Sequence, residues 1–127
     1  VGGHGLVVDI DSGVAGPTVM LRADIDALPY ADPNDPERIE AIHACGHDAH
    51  AAILLAAAPE IRKNLKKGKI RLAFQPAEES LQGALAMIKD GVLDGVDIVV
   101  GSHIRPVQDL PFRKYCSVRE SCCLCNR

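Results

Sequence analysis

The residues of this chain that can do chemistry fall in four clusters: Asp24 with Asp26, Cys45 with His47 and His50, Glu78 with Glu79, and His103. The densest stretch, His43-Ala-Cys-Gly-His-Asp-Ala-His50, puts three histidines, a cysteine and an aspartate within eight positions. Thiolate, imidazole and carboxylate together are the donor set of a divalent transition-metal site. Cys45 and His47, two apart and joined by flexible Gly46, can turn toward one ion, and a helix starting there favours thiolate over thiol. One cysteine alone is usually a small core hydrophobe, and one histidine a hydrogen-bonded core or surface residue. The cluster, with matching acids elsewhere in the chain, favours ligands.

Glu78-Glu79, taken alone, reads as two carboxylates stabilising the first turn of a helix. Beside a metal the pair has a second use: one carboxylate binds the ion while its neighbour serves as general base toward a water. Asp24 and Asp26 share one face of an extended segment. They either orient ligand histidines from behind or simply make a strand-end turn; Asp48 and His50 are further candidates for such an orienting role. His103 follows the apolar run Ile98-Val99-Val100, which favours a direct ligand.

The elements that must position these groups follow from periodicity. Runs at Leu6–Ile10 and Thr18–Ala23 flank Asp11-Ser12-Gly13 and Gly16-Pro17, predicting an antiparallel hairpin. The polar, proline-bearing stretch 30–40 predicts a surface loop. Apolar residues at Ala49, Ala52, Ile53, Ala56, Ala57, Ile61 and Leu65 predict a helix with Gly68 as its C′ residue. Pro59, which costs about 3 kcal/mol inside a helix, predicts a kink or two shorter helices. A third strand is expected at Ile70–Phe74, ended by Gln75-Pro76, and a fourth at Val96–Val100. Between them a second helix is expected from about Glu78 to Asp90, with Leu81, Ala84, Leu85 and Ile88 on its apolar face. Strand, helix, strand, helix, strand implies an α/β fold with a mixed, mainly parallel sheet and crossover helices. In such sheets functional groups gather beyond the carboxyl ends of the strands, where all four clusters fall.

Composition bounds this reading. The chain has 127 residues, 47% hydrophobic and only 3% aromatic, which suits one domain with an aliphatic core. A net charge of −3 gives no reason to expect nucleic acid or an anionic membrane as partner. No stretch approaches the roughly 20 apolar residues of a bilayer span, so the expected location is cytoplasmic. Gly2-Gly3-His4-Gly5 precedes a strand and no helix, which excludes a phosphate loop. Cys122 and Cys125 form a bare C-x-x-C without a second pair, and an odd cysteine total argues against a disulfide framework.

Five ordered motifs now carry a resemblance: Leu21-Arg-Ala-Asp-Ile-Asp-Ala-Leu-Pro29, His43 to His50, Phe74-Gln-Pro-Ala-Glu-Glu79, Gly83-Ala84 with Met87-Ile88 and Gly91, and Gly101-Ser-His103. Together they resemble the metal-dependent amidohydrolase (metallopeptidase) family of hippurate hydrolase, auxin-conjugate hydrolases and N-acetyldiaminopimelate deacetylase. The resemblance implies a zinc-peptidase-like catalytic domain that cleaves the amide of small N-acyl amino acids. It implies Cys45, His47, Glu79 and His103 as ligands of one or two divalent ions, zinc or manganese with cobalt also accepted, and Glu78 as the general base that activates a water. Full-length relatives are expected to be homodimers. The family's further histidine ligand and its smaller lid domain have no counterpart here, and the chain opens on Val1. Residues 1–111 therefore read as a partial catalytic domain, and 112–127 as a divergent, disordered cysteine-rich tail. The competing expectation is an inactive truncated chain that at most binds metal.

Overall fold

The computed structural model describes residues 1–104; the expectations for the cysteine-rich tail lie outside the described residues. In chain order the elements are β1 (Leu6–Asp11), β2 (Thr18–Asp24), β3 (Leu28–Asp32), β4 (Asp35–Ile42), α1 (His47–Asn64), β5 (Lys69–Gln75), α2 (Gly83–Lys89) and β6 (Ile98–Gly101). One four-stranded sheet has the order β1-β5-β2-β6, and β3 pairs with β4 alone. In the larger sheet β2 runs parallel to both β5 and β6, and β1 runs antiparallel to β5. The architecture is α/β with a mixed, mainly parallel sheet, as the pattern of elements implied.

The expected β1–β2 hairpin does not form, because β5 lies between the two strands. Strands sit about 4.8 Å apart, and the six residues Ser12 to Pro17 are enough to step over one. That connection wraps Gly68: the Gly68 N–H donates to the Val14 carbonyl at 2.8 Å, and Lys69 N–H to the Pro17 carbonyl at 3.0 Å. Gly68, with φ of 73°, is required there because a Cβ would stand 2.2 Å from the Pro17 oxygen. It is not the C′ residue of α1, which ends on Leu65 in an extended conformation.

β5 lies inside the sheet, and its last four residues, Leu72 to Gln75, are buried on both faces. Leu72 and Phe74 join Ala23 and Leu54 beneath α1, while Ala73 joins Met20, Met87 and Val92 on the other face. The expected α1 face is revised: His47, His50 and Leu54 are the buried residues, with Ala51, Ala58 and Ile61 packed nearby, whereas Ile53 is 59% exposed. Alanines recur all round this helix, so periodicity could not choose among its stripes. The predicted break at Pro59 is also absent, and α1 runs unbroken to Asn64. Pro59 and Leu55, whose carbonyl loses its donor, are both exposed, so water can satisfy that carbonyl and the helix need not end there.

Two further segments differ from expectation. Residues 30–40 form most of the β3–β4 ribbon, with Tyr30 opposite Glu40 and Ala31 opposite Ile39. Asn34 N–H donates to Asp32 Oδ1 at 2.8 Å, closing the turn with an aspartate rather than a glycine. The ribbon is largely exposed, so no apolar alternation announces it. The second helix starts at Gly83 instead of Glu78, since residues 78–81 form turns, with positive φ at Leu81 (60°) and at the preceding Ala77 (51°). Its buried residues are Gly83 and Met87, while Leu81, Leu85 and Ile88 are exposed.

Candidate metal centre

The carboxyl ends of β2 and β5, the start of α1 and the turn after β5 meet at one edge of the sheet. Gly46 makes the junction at α1: with φ of 79° it N-caps the helix, its N–H bonding the His43 carbonyl at 3.1 Å. This left-handed turn, disfavoured for side chains other than glycine, folds Cys45 back over the first helical turn. Cys45, His47 and Glu79 then each offer a ligand atom, all within 4.8 Å of one another.

His47 is the hub of the cluster. Its ring is 1% exposed, and Nδ1 lies 3.0 Å from the Asp26 carbonyl and 3.1 Å from Asp26 Oδ1, two acceptors that call for a proton on Nδ1. In the neutral ring Nε2 is then the acceptor nitrogen. It is buried and has no hydrogen-bond partner among the described residues. Three carboxylates stand around it, Asp24 Oδ2 at 3.7 Å, Glu79 Oε1 at 3.9 Å and Glu78 Oε2 at 4.0 Å, none able to donate when ionised. Burying an unsatisfied polar atom costs about 1–3 kcal/mol, and a cation would relieve it.

Asp26 serves two candidate ligands at once: its other oxygen, Oδ2, accepts the Glu79 N–H at 3.0 Å. Glu78 and Glu79 owe their reach to the strained turn before α2. Gly83 packs so closely on the end of β5 that a Cβ would fall 1.6 Å from the Pro76 oxygen, and the turn places both carboxylates beside His47 rather than along a helix.

At Cys45 the surrounding acids oppose the thiolate that a helix start favours. The hydrogen bond to Glu79 is the main cause raising the thiol pKa above its ordinary value, followed by desolvation and the charges of Glu79, Glu78 and Asp24. A divalent ion among them would invert that balance by its own charge.

His103 stands apart from Cys45 and Glu79. Its group is Asp24, His47 and His50, again with ligand atoms within 4.8 Å. Its ring lies 5.8 Å from that of His47 and 4.6 Å from that of His50. His50 is 3% exposed and bonds Asp24 Oδ1 through Nδ1. Asp24 is fully buried; burial pushes its pKa up, but the His50 hydrogen bond and the charges of Arg22, His47 and His50 leave it below the ordinary carboxylate value. Asp48 and His43 are exposed and in neither group.

Sequence reasoning missed Arg22 and Gln75. Arg22 Nη1 donates to Asp24 Oδ2 at 2.9 Å and its Nε to Gln75 Oε1 at 2.8 Å. A charged residue and an amide at the ends of two otherwise apolar strands were the available signal.

Comparison with known proteins agrees with this geometry. The chain is 49% identical over 108 residues to N-acetyl-L-cysteine deacetylase of Bacillus subtilis (strain 168), covering 80% of this chain and 26% of that one. It is 47% identical over 94 residues to IAA-amino acid hydrolase ILR1-like 6 of Arabidopsis thaliana, covering 69% and 20%. Among solved structures it is similar to the YXEP protein of Bacillus subtilis, described as a dinuclear metal-binding peptidase, with a TM-score of 0.72 and 38% identity over 80% of this chain and 30% of that one. The chain thus spans between a fifth and a third of these proteins. Residues 20–111 match the model of peptidase family M20/M25/M40. This chain belongs to that family.

Proposed function

We propose that this chain carries the metal-binding edge of an amidohydrolase that cleaves the amide bond of small N-acyl amino acids. Cys45, His47 and Glu79 hold a divalent ion, His103 supplies a further ligand from beside His47, and Glu78 is the general base. The observation that carries the reading is the buried, unpartnered Nε2 of His47, turned toward Glu78 and Glu79 by the grip of Asp26 on Nδ1. One thiolate among imidazole and carboxylate donors suits zinc, and manganese or cobalt would also be accepted. The relatives named for N-acetylcysteine and IAA-amino acids point to N-acyl amino acids as the substrate class.

A divalent ion at this position supplies Lewis acidity, lowering the pKa of water and polarising the scissile carbonyl. The protein's own residues do the rest. Glu78, adjacent to Glu79 and 4.0 Å from His47 Nε2, is placed to take a proton from water and return it to the leaving nitrogen. Asp26 keeps the His47 lone pair aimed into the site and holds the Glu79 backbone.

Zinc titration of the purified chain, followed by assay with N-acetylcysteine and hippurate, tests the proposal. Stoichiometric zinc with turnover supports it; failure to bind zinc overturns it. Zinc without turnover favours the second reading, a metal-binding part of a larger enzyme, which the coverage of only 26% of a full-length relative supports.

A further inference from the structure

The proximity of Asp24, His47, His50 and His103 suggests one ion held by all four, yet their hydrogen-bonding capacity divides them. A neutral imidazole has one donor and one acceptor nitrogen. His50 has committed both. Nδ1 faces Asp24 Oδ1, an acceptor, and Nε2 accepts the backbone N–H of Ile104 at 2.8 Å. A proton on Nε2 would confront that N–H, so the ring carries its proton on Nδ1. Asp24 is committed too, its Oδ2 accepting from Arg22, which is tied in turn to Gln75.

The result is a chain of hydrogen bonds, Gln75–Arg22–Asp24–His50–Ile104, joining the ends of β5 and β2 through α1 to the segment after β6. It ends one residue beyond His103. His103 Nδ1 meets the Ile104 carbonyl at 2.6 Å, which leaves its Nε2 as the free lone pair. The His103 ring stands edge-on to His50, at 67°.

We propose that His50 is a positioning residue and not a metal ligand: its Nδ1–H tautomer, set by Asp24, pins Ile104 and so holds His103 in place beside His47. This deepens the metal-site reading and rests on it only for the use of His103. His50 is one helical turn from His47 and as deeply buried, but it has no lone pair to give.

Nitrogen-15 NMR of the histidine-labelled chain, recorded before and during addition of zinc, tests the proposal. The expected result is His50 neutral, protonated at Nδ1 and unmoved by zinc, while Nε2 of His47 and of His103 shift. A zinc-induced shift at His50 Nε2, or a proton found there, overturns the proposal and leaves the metal site standing. Absence of any shift at His47 overturns the metal-site reading instead, while the His50 tautomer still decides the hydrogen-bond chain. His50→Ala should weaken zinc binding by about 10- to 100-fold and abolish the His103 response. His50→Asn, which keeps a donor toward Asp24 but cannot reach Ile104, should do the same. Leu72→Ala, a core change at a side chain that makes none of these bonds, should lower stability and leave both readouts intact. Wild-type zinc affinity and an unchanged His103 response in both His50 variants would contradict the proposal. If His50→Ala does not fold, the wild-type tautomer and zinc response still decide it.

Discussion

His47 and His50 lie one turn apart on α1, both buried and both held by an aspartate through Nδ1, and they differ at the other nitrogen. At His50 a backbone N–H fills the Nε2 lone pair; at His47 that nitrogen has no partner among the described residues. Asp24 and Asp26 divide in the same way, one closing a saturated hydrogen-bond chain, the other aiming an unsatisfied ring at Glu78 and Glu79. On the proposed reading, a dense motif of ligand-capable residues is half scaffold and half site. What separates the halves is unspent hydrogen-bonding capacity, not residue type.

The sharpest way to break this comparison is at His47. His47→Ala should lower zinc affinity by more than the roughly 100-fold that upper-range losses of supporting partners reach, read by calorimetric titration, and a smaller loss than in His50→Ala would invert the division. The adjacent acids come next. In an intact enzyme carrying these motifs, Glu78→Gln should reduce turnover by about 10²- to 10⁴-fold with bound metal unchanged, whereas Glu79→Gln should lose metal. Equal metal loss in both, measured by elemental analysis, would show that the division of labour is wrong. Asp26→Asn should cost about 10- to 100-fold in metal affinity, because an amide nitrogen facing His47 Nδ1 disturbs the tautomer.

The site's support can be separated from its chemistry. Leu72, 2% exposed beneath α1, should cost about 2–5 kcal/mol on truncation to alanine, whereas Ile53→Ala, at an exposed position, should stay within about 0.5 kcal/mol. Urea unfolding of both variants would check the revised helix face. The smallest effect is electrostatic. Arg71 holds Asp9 below the ordinary carboxylate pKa, chiefly through their hydrogen bonds at 2.8 Å. A pKa depressed on folding stabilises fully above the unfolded value, near about 3.9, and that contribution is lost as pH falls through the native value. At this partly exposed pair the contribution is under about 1 kcal/mol, so Asp9→Asn should slightly flatten the acid limb of stability against pH, read by urea midpoints.

Much of the clustering was legible because residue type and placement agreed: Cys45 and His47 fall at the start of a helix-patterned run and Glu79 just after a strand, and the βαβ order brings helix starts and strand ends together. What the sequence withheld has physical reasons. The β1–β2 hairpin looked right locally, but insertion of β5 is a long-range choice that no window around Gly13 records. The ribbon at 28–42 buries little, so it leaves no alternation. Glu78 and Glu79 looked like a helix start because Leu81, Ala84, Leu85 and Ile88 recur at helical spacing; the close approach of Gly83 to Pro76 delays the helix and frees the pair. His50 read only as a candidate orienting residue, because the partner of its second nitrogen, the Ile104 N–H, lies 54 residues away and leaves no local signal.

The central claim, that Cys45 and His47 with Glu79 form an ion site at this edge, is tested most directly by zinc-edge X-ray absorption on the zinc-loaded chain. The account predicts one sulfur at about 2.3 Å with nitrogen and oxygen at about 2.0–2.2 Å, and loss of the sulfur shell in Cys45→Ser. A sulfur shell that survives Cys45→Ser but disappears in Cys122→Ser would place the metal on the tail cysteines and contradict it.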